Sequence, residues 1–407
     1  MRARLKAALA STAAAALVSA GLGVTAPAVH AAGSARFALP LSVSGNRIVD
    51  VNNQTVVLNG IHRDGPQVAA QRFPTADEIS WIGRGHTGSW NANVVRVPVS
   101  APHWTGSCPT IANDPVGYRV KVDAVIQQIT SQGMLALLDL HTIAPKCKAL
   151  GMHTMPDPDV RTFWDSAAAH YAGNPLVAFE LYNEPHYVDG GVWLNGTQGA
   201  ETMTDCKDVV WTSDTVALRK AQLERTACIN KPLAVKWEAV GMQELYDRVT
   251  ARAPGHLVFA DGLGYAGAPP TQLVNATSGN LVYALHPYTC SDPLNTQHDC
   301  AHTEKAHANT AALDGWRGLA GSSPVLVTEV GWPTYPSGDG SRTDYTEGAS
   351  FYSETIAYLQ AQSPRWGIIG FAFDGSNNGT YDLITDTTTY APNSTAVPLH
   401  ALLSGNG

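Results

Sequence analysis

Two glutamates stand where apolar, strand-like runs give out. Glu184 lies near the end of LVAFELYNEP (176–185), between Asn183 and Pro185, and Glu329 lies in PVLVTEVGW (324–332). Burying a charge is costly unless something pairs with it or uses it. A carboxylate at the mouth of a buried strand therefore points to chemistry. Two of them on separate strands can divide one reaction, one ionised to attack and the other protonated to donate to a leaving oxygen; hydrolysis of a glycosidic bond is the foremost candidate. Their surroundings must then push the two pKa values apart. Arg96, in NVVRVPVS (93–100), is the natural cation to keep one of them ionised. Asn183 can hydrogen-bond a sugar hydroxyl, and His141, His286 and Tyr288 suit orienting or sugar-binding roles.

Such groups need a scaffold that brings distant strand ends together. Strand-like runs recur along the chain: 56–62, 93–100, 135–142, 176–185, 256–263, 281–289, 324–332 and 367–375. Each is nearly continuously apolar, as parallel strands covered on both faces are. Helical patterns fall between them at 117–133, 159–173, 235–253 and 347–362. Strands alternating with helices over this length predict a single (β/α)8 TIM barrel, an α/β fold whose active site lies at the C-terminal strand ends. That rim collects His62 and Arg63, Arg96, Asp139 and His141, Asn183 and Glu184, His286 and Tyr288, Glu329, and Asp374. An earlier segment, 42–57, reads as a hairpin that plugs the lower end of the barrel. The polar stretch 187–234 is a long loop after the fourth strand, of a length that is usually functional in a compact domain.

Composition bounds the setting. Arg2, Arg4 and Lys6, an Ala/Leu/Val-rich stretch and Val29-His30-Ala31 predict a secretion signal cut after Ala31, leaving 32–407 as one catalytic domain. The net charge is −8, or about −11 without the three basic residues of the signal. That balance argues against nucleic acid as a partner. No later run is long and apolar enough to span a bilayer. A secreted monomer is the expectation.

Cys108, Cys147, Cys206, Cys228, Cys290 and Cys300 form an even set, which in an exported chain reads as disulfides. Their places on the rim suggest Cys108–Cys147 and Cys290–Cys300, with Cys206–Cys228 holding the long loop. No C-x-x-C occurs, and His141, Cys147 and His153 match no usual ligand spacing, so no metal is expected. Gly262–Gly267 matches G-x-G-x-x-G, but Pro269-Pro270 follow where a nucleotide site needs a helix. No cofactor is expected either.

Taken in order, NVVRVPV, LLDLH, FELYNEP, ALHPY and VTEVGW resemble the motifs of glycoside hydrolase family 5, the cellulase-type family with catalytic glutamates on barrel strands 4 and 7. The resemblance covers essentially the whole chain after the signal. It implies Glu184 as general acid/base and Glu329 as nucleophile. It further implies Arg96 and Tyr288 as partners of the nucleophile, Asn183 as the 2-hydroxyl partner, and His141 and His286 as site-lining histidines. It implies retention of configuration, with carboxyl groups about 5–5.5 Å apart. One departure is visible. The family's tryptophan near the end of strand 8 is missing from GFAFDGSNNG, leaving Phe371, Phe373 or Asp374 to meet the sugar there.

The expected activity is cleavage of a β-glycosidic bond in a β-glycan or an oligosaccharide from one, by double displacement. A non-catalytic carbohydrate-binding barrel and a transglycosylase are the rivals. Trp104, Trp193 and Trp332 follow strands 2, 4 and 7 and suit stacking on sugar faces, Trp332, three residues past Glu329, best of all, although packing is the commoner role for any one loop tryptophan. His62 and Arg63 suit rim hydrogen bonds or sugar contact equally, and Glu180 suits a buried partner for a cation.

Overall fold

A computed structural model describes residues 36–67, 72–148, 150–204, 236–288, 308–332, 345–374 and 381–406. Strands β1 (Ser42–Ser44) and β2 (Arg47–Val49) pair antiparallel. Then come β3 (Asn59–His62), β4 (Val94–Ser100), β5 (Leu135–Thr142) and β6 (Val177–Glu180). A second antiparallel pair, β7 (Glu201–Thr204) and β8 (Lys236–Glu238), stands apart from them. Last are β9 (Val258–Asp261), β10 (Leu281–Leu285), β11 (Val325–Val330) and β12 (Gly367–Gly370). The barrel closes in the order β3-β4-β5-β6-β9-β10-β11-β12, every neighbour parallel and β12 returning to β3. This is the (β/α)8 barrel the alternating pattern predicts.

The helices are α1 (Ala76–Ile82), α2 (Ala101–Thr105), α3 (Pro115–Ser131), α4 (Asp159–Tyr171) and α5 (Gly190–Asn195). They continue with α6 (Met242–Arg252), α7 (Thr310–Gly315), α8 (Arg317–Ala320), α9 (Tyr345–Gln360) and α10 (Val397–Ala401). Several starts are fixed by side chains that accept otherwise orphaned amides: Thr75 with Glu78 in a capping box, Asp114, Asp189 and Asn309.

Two apolar layers hold the barrel. Outside it, α3, α4 and α6 press Val122, Ile126, Phe163, Trp164 and Leu245 against strand residues such as Val97, Leu138 and Phe179. Inside its lower end, Leu58, Leu135, Leu257, Phe259 and Leu326 pack with Leu41 and Ile48 of the N-terminal hairpin. The hairpin is thus the plug its sequence suggests.

Strand β4 carries Pro98 in its middle, where a missing N–H usually breaks a ladder. The β3 ladder stops at His62–Arg96, so Pro98 has no strand partner on that side, and the break costs nothing.

Three expectations need correction. The helix read at 235–253 begins as β8, because Trp237 is buried and its Nε1 donates to Met155 O at 3.2 Å; the helix starts only after Gly241. The fourth run leaves the sheet at Glu180, four residues before Glu184. The stretch 187–234 is not plain loop, since it holds α5 and β7 before the described residues stop at 204.

Candidate active site

Arg96 is fully buried in β4 and organises the upper barrel. Its Nε donates to Glu180 at 2.6 Å, its Nη2 to Asn183 Oδ1 at 2.8 Å, and Asp139 lies 3.0 Å from Nη2. Nη1 donates to Glu329 and also meets His62 Nδ1 at 3.0 Å. A guanidinium can only donate. Nδ1 of His62 therefore accepts, and its Nε2 donates to Asp64 at 2.9 Å. That bond outweighs burial and keeps the Asp64 carboxyl below its ordinary range. His141 Nδ1 sits 2.7 Å from Asp139; burial opposes its charge, but Asp139 wins and raises the histidine's pKa.

Glu329 receives three cationic or donating groups. Besides Arg96, Tyr288 Oη donates to it at 3.0 Å, and His286 Nδ1 lies 3.8 Å away. Burial pushes its pKa up, but His286 and Arg96 outweigh that and hold it far below the usual carboxylate range. Glu329 is the carboxylate kept ionised.

Glu184 is placed differently. Its φ is +54°, a left-handed conformation that side chains other than glycine adopt at a cost of about 1–3 kcal/mol. Its amide donates to Asp261 Oδ2 at 2.8 Å, and its Oε1 meets His286 Nδ1 at 2.9 Å. Where β6 has ended, those two bonds aim the side chain inward. Oxygens of Glu184 and Glu329 and a ring nitrogen of His286 all lie within 4.8 Å of one another.

Beneath them lies a pair the sequence does not reveal. Glu180 and Asp261 are both fully buried and hydrogen-bonded carboxyl to carboxyl. Burial raises both pKa values, but Arg96 pulls Glu180 down, whereas the charge of Glu180 drives Asp261 further up. Asp261 thus holds the proton. Glu180 Oε1 and Asp261 Oδ1 have no other hydrogen-bond partner among the described residues, which one shared proton explains. With His286 this pair also has the spacing of a metal triad. The guanidinium already on Glu180, and the proton between the carboxyls, fill that role.

The rim residues expected from sequence divide clearly. His62, Arg96, His141, Asn183, Glu184, His286, Tyr288 and Glu329 join one network. Arg63 does not; it is buried against Glu78 at 3.0 Å, a structural pair, whereas His62 backs Arg96. Trp332 is half-buried with its ring 5.5 Å from Phe351. Trp104 and Trp193 are fully buried and serve packing. Asp374 is half-buried, its amide turned to Ala372 O at 2.7 Å. Phe373 is buried and stacked on Tyr390, so it is no sugar platform, while Phe371 is half-buried with its ring 4.5 Å from His62. Gly331 lets this corner pack closely; a Cβ there would meet Phe371 O at 2.8 Å and a Tyr288 ring carbon at 3.3 Å. Met152 carries no signal in the sequence, yet its sulfur accepts from Asn183 Nδ2 at 3.0 Å.

Of the disulfides, Cys108–Cys147 is present, with Cα atoms 5.3 Å apart. Cys206, Cys228, Cys290 and Cys300 lie outside the described residues. The G-x-G-x-x-G segment is a tight turn closed by a Leu263–Ala268 bridge, not a helix start.

A parallel barrel with two close acids, one held ionised, over its C-terminal rim defines a class of paired-carboxylate proteins. The comparisons with known proteins agree: residues 85–368 match the family described as cellulase (glycosyl hydrolase family 5), and this chain belongs to that family. Endoglucanase MaCel5A of Microbulbifer sp. (strain ALW1) is 26% identical over 346 residues, 80% of this chain and 50% of that protein. A probable endo-beta-1,4-glucanase B of Aspergillus kawachii is 34% identical over 288 residues, 66% of this chain and 69% of that protein. Other curated relatives, among them endoglucanase 5 of Pectobacterium carotovorum, are spanned over only 27% to 35% of their length. Among solved structures, the catalytic domain of the major endoglucanase from Xanthomonas campestris aligns over 90% of this chain and 99% of that one, with TM-score 0.58 and 17% identity. The beta-glucanase SdGluc5_26A from Saccharophagus degradans, in complex with cellotetraose, aligns over 92% and 94%, with TM-score 0.55 and 17% identity. Both likenesses speak for the fold.

Proposed function

We propose that this protein is a glycosidase that hydrolyses β-glycosidic bonds in a β-glycan, with retention of configuration, and that it is exported after loss of residues 1–31. The observation that carries the reading is the pair of carboxylates, Glu184 and Glu329, with oxygens within 4.8 Å. Retaining enzymes hold their carboxyls about 5–5.5 Å apart, whereas inverting ones need roughly 6.5–9.5 Å to admit a water. The endoglucanase names among the relatives favour a β-glucan.

In this mechanism Glu329, kept ionised by Arg96 and oriented by Tyr288, attacks the anomeric carbon while Glu184 gives its proton to the leaving oxygen. The C–O bond breaks, and a glycosyl–Glu329 ester forms. Glu184, now a carboxylate beside His286, takes a proton from water, which attacks the same carbon and frees Glu329. Asn183, whose Oδ1 accepts from Arg96, is in this mechanism the partner of the 2-hydroxyl. Phe371, beside His62, is the ring available under the attacked sugar in place of the family's tryptophan.

The test is NMR of the first-formed product from cello-oligosaccharides and from aryl β-glycosides. A β-anomer is expected first, and Glu329→Gln should lower kcat at least about a thousand-fold. An α-anomer formed first, or full activity in Glu329→Gln, would overturn the mechanism.

A further inference from the structure

Asn183 is fully buried, yet a sugar hydroxyl has to reach it. Its side-chain amide is held at both ends. Oδ1 accepts from Arg96 Nη2 at 2.8 Å, and Nδ2 donates to the sulfur of Met152 at 3.0 Å. Its backbone amide donates to Leu140 O at 3.0 Å, so the whole residue is fixed. Met152, by contrast, is 47% exposed. Its thioether therefore covers the Asn183 amide on the side of the solvent.

The backbone around Met152 is pinned on both sides. The Gly151 amide donates to Ile143 O at 3.0 Å and the Ile143 amide to Gly151 O at 3.1 Å, where β5 has just ended. The His153 amide donates to the Tyr182 hydroxyl at 3.2 Å, and that hydroxyl donates to His153 O at 2.8 Å. Tyr182 is buried and directly precedes Asn183. The loop is thus tied to the same segment after β6 that carries Asn183 and Glu184. The side chain is free by comparison. Methionine is unbranched and turns about three bonds. Its sulfur is a weak acceptor, and a hydroxyl oxygen is a better one for the same N–H. A large apolar side chain left half in solvent also gains little from burial. The arrangement is a firm base under a side chain that moves at small cost.

Any oxygen that approaches Nδ2 from the cleft must take the place of the sulfur. The 2-hydroxyl of the attacked sugar is such an oxygen, and contacts to it strengthen in the transition state.

We infer that Met152 is a displaceable cap on Asn183 that sets selectivity at the 2-position of the attacked sugar. This rests on the retaining-glycosidase reading, with Asn183 as the 2-hydroxyl partner. In the empty site the thioether accepts from an amide that would otherwise be a buried donor without a partner. A sugar with a 2-hydroxyl breaks that contact and makes a stronger one. A sugar without it leaves Met152 in place. The cap therefore reduces the advantage of a 2-hydroxyl by the worth of one N–H···S contact.

The test compares an aryl β-cellobioside with its analogue that is 2-deoxy on the attacked ring. Met152→Leu keeps the bulk and removes the acceptor. It should raise kcat/KM on the parent about three- to ten-fold and stay within about two-fold on the 2-deoxy analogue. Equal changes on both substrates would show a merely structural role and overturn the inference. A loss confined to the parent would also overturn it, since Met152 would then steady Asn183 for the sugar rather than cover it. A crystal structure of the Glu329→Gln protein with cellotetraose tests the same point without altering Met152. A sugar hydroxyl on Asn183 Nδ2, with the sulfur moved out of hydrogen-bond reach, is expected. A sulfur still on Nδ2 beneath a bound sugar would overturn the cap alone. A wild-type protein inert on the aryl β-cellobioside would overturn the glycosidase reading itself, and this inference with it.

Discussion

Burial and the neighbouring charge of Glu180 push the Asp261 pKa well up, which favours a neutral acid beneath the two glutamates. A second ionised carboxylate beside Glu180 would set two buried charges against a single guanidinium, at a cost of several kcal/mol. As an acid it donates to Glu180 and still accepts the Glu184 amide through Oδ2. Asp261→Asn can do both, through its NH2 and its carbonyl. We expect it to keep kcat within a few-fold of wild type with the pH profile unchanged. Asp261→Ala frees the Glu184 amide and leaves Glu180 without its donor; kcat should fall about ten- to a hundred-fold with KM little altered. Steady-state kinetics across pH distinguish the two, and an Asn variant as damaged as the Ala variant would mean that Asp261 is ionised. This residue was not legible in the sequence. It ends an ordinary apolar run, and its meaning comes from Glu180 on a neighbouring barrel strand far away in the chain. Glu184, Glu329 and Arg96 were legible because each interrupts an apolar run at a place where only use or pairing offsets burial.

At the scale of elements, the barrel was legible wherever apolar runs were long. It was obscured where one tertiary contact overrode local pattern, as Trp237 does in β8. Rim position also made one disulfide legible. Cys108–Cys147 joins the loop after α2 to the turn after β5, closing 39 residues of chain. A cross-link over a loop of that order contributes about 2–4 kcal/mol, chiefly by restricting the unfolded chain. The variant Cys108→Ser/Cys147→Ser should therefore melt several degrees lower, by calorimetry. Its activity at 25 °C should change little, because Arg96, Glu184 and Glu329 are held by other bonds. A drop in activity as large as that of Asp261→Ala would show that the bridge shapes the site itself.

For the whole molecule, charge burial sets opposing limbs of stability against pH. Glu329 and Glu180 have depressed pKa values, so their contributions are present above the unfolded value near 4.3 and are lost as pH falls through the folded values. Asp157 works the other way. It is buried just before α4, and its Oδ1 has no hydrogen-bond partner among the described residues. Burial first, then the charge of Asp159, push its pKa up to about 7, against the pull of His153. Unfolded, it titrates near 3.9. Its contribution is thus full below about pH 3.9, declines as pH rises to about 7, and is level beyond. A shift of about three units is worth at most roughly 4 kcal/mol. Asp157→Asn keeps the acceptor oxygen but cannot ionise, so it should raise the melting temperature at pH 8 by several degrees and leave it nearly unchanged at pH 4. Scanning calorimetry of both proteins from pH 4 to 8 checks this; a difference in melting temperature that stays constant with pH would mean that Asp157 is not the group that titrates.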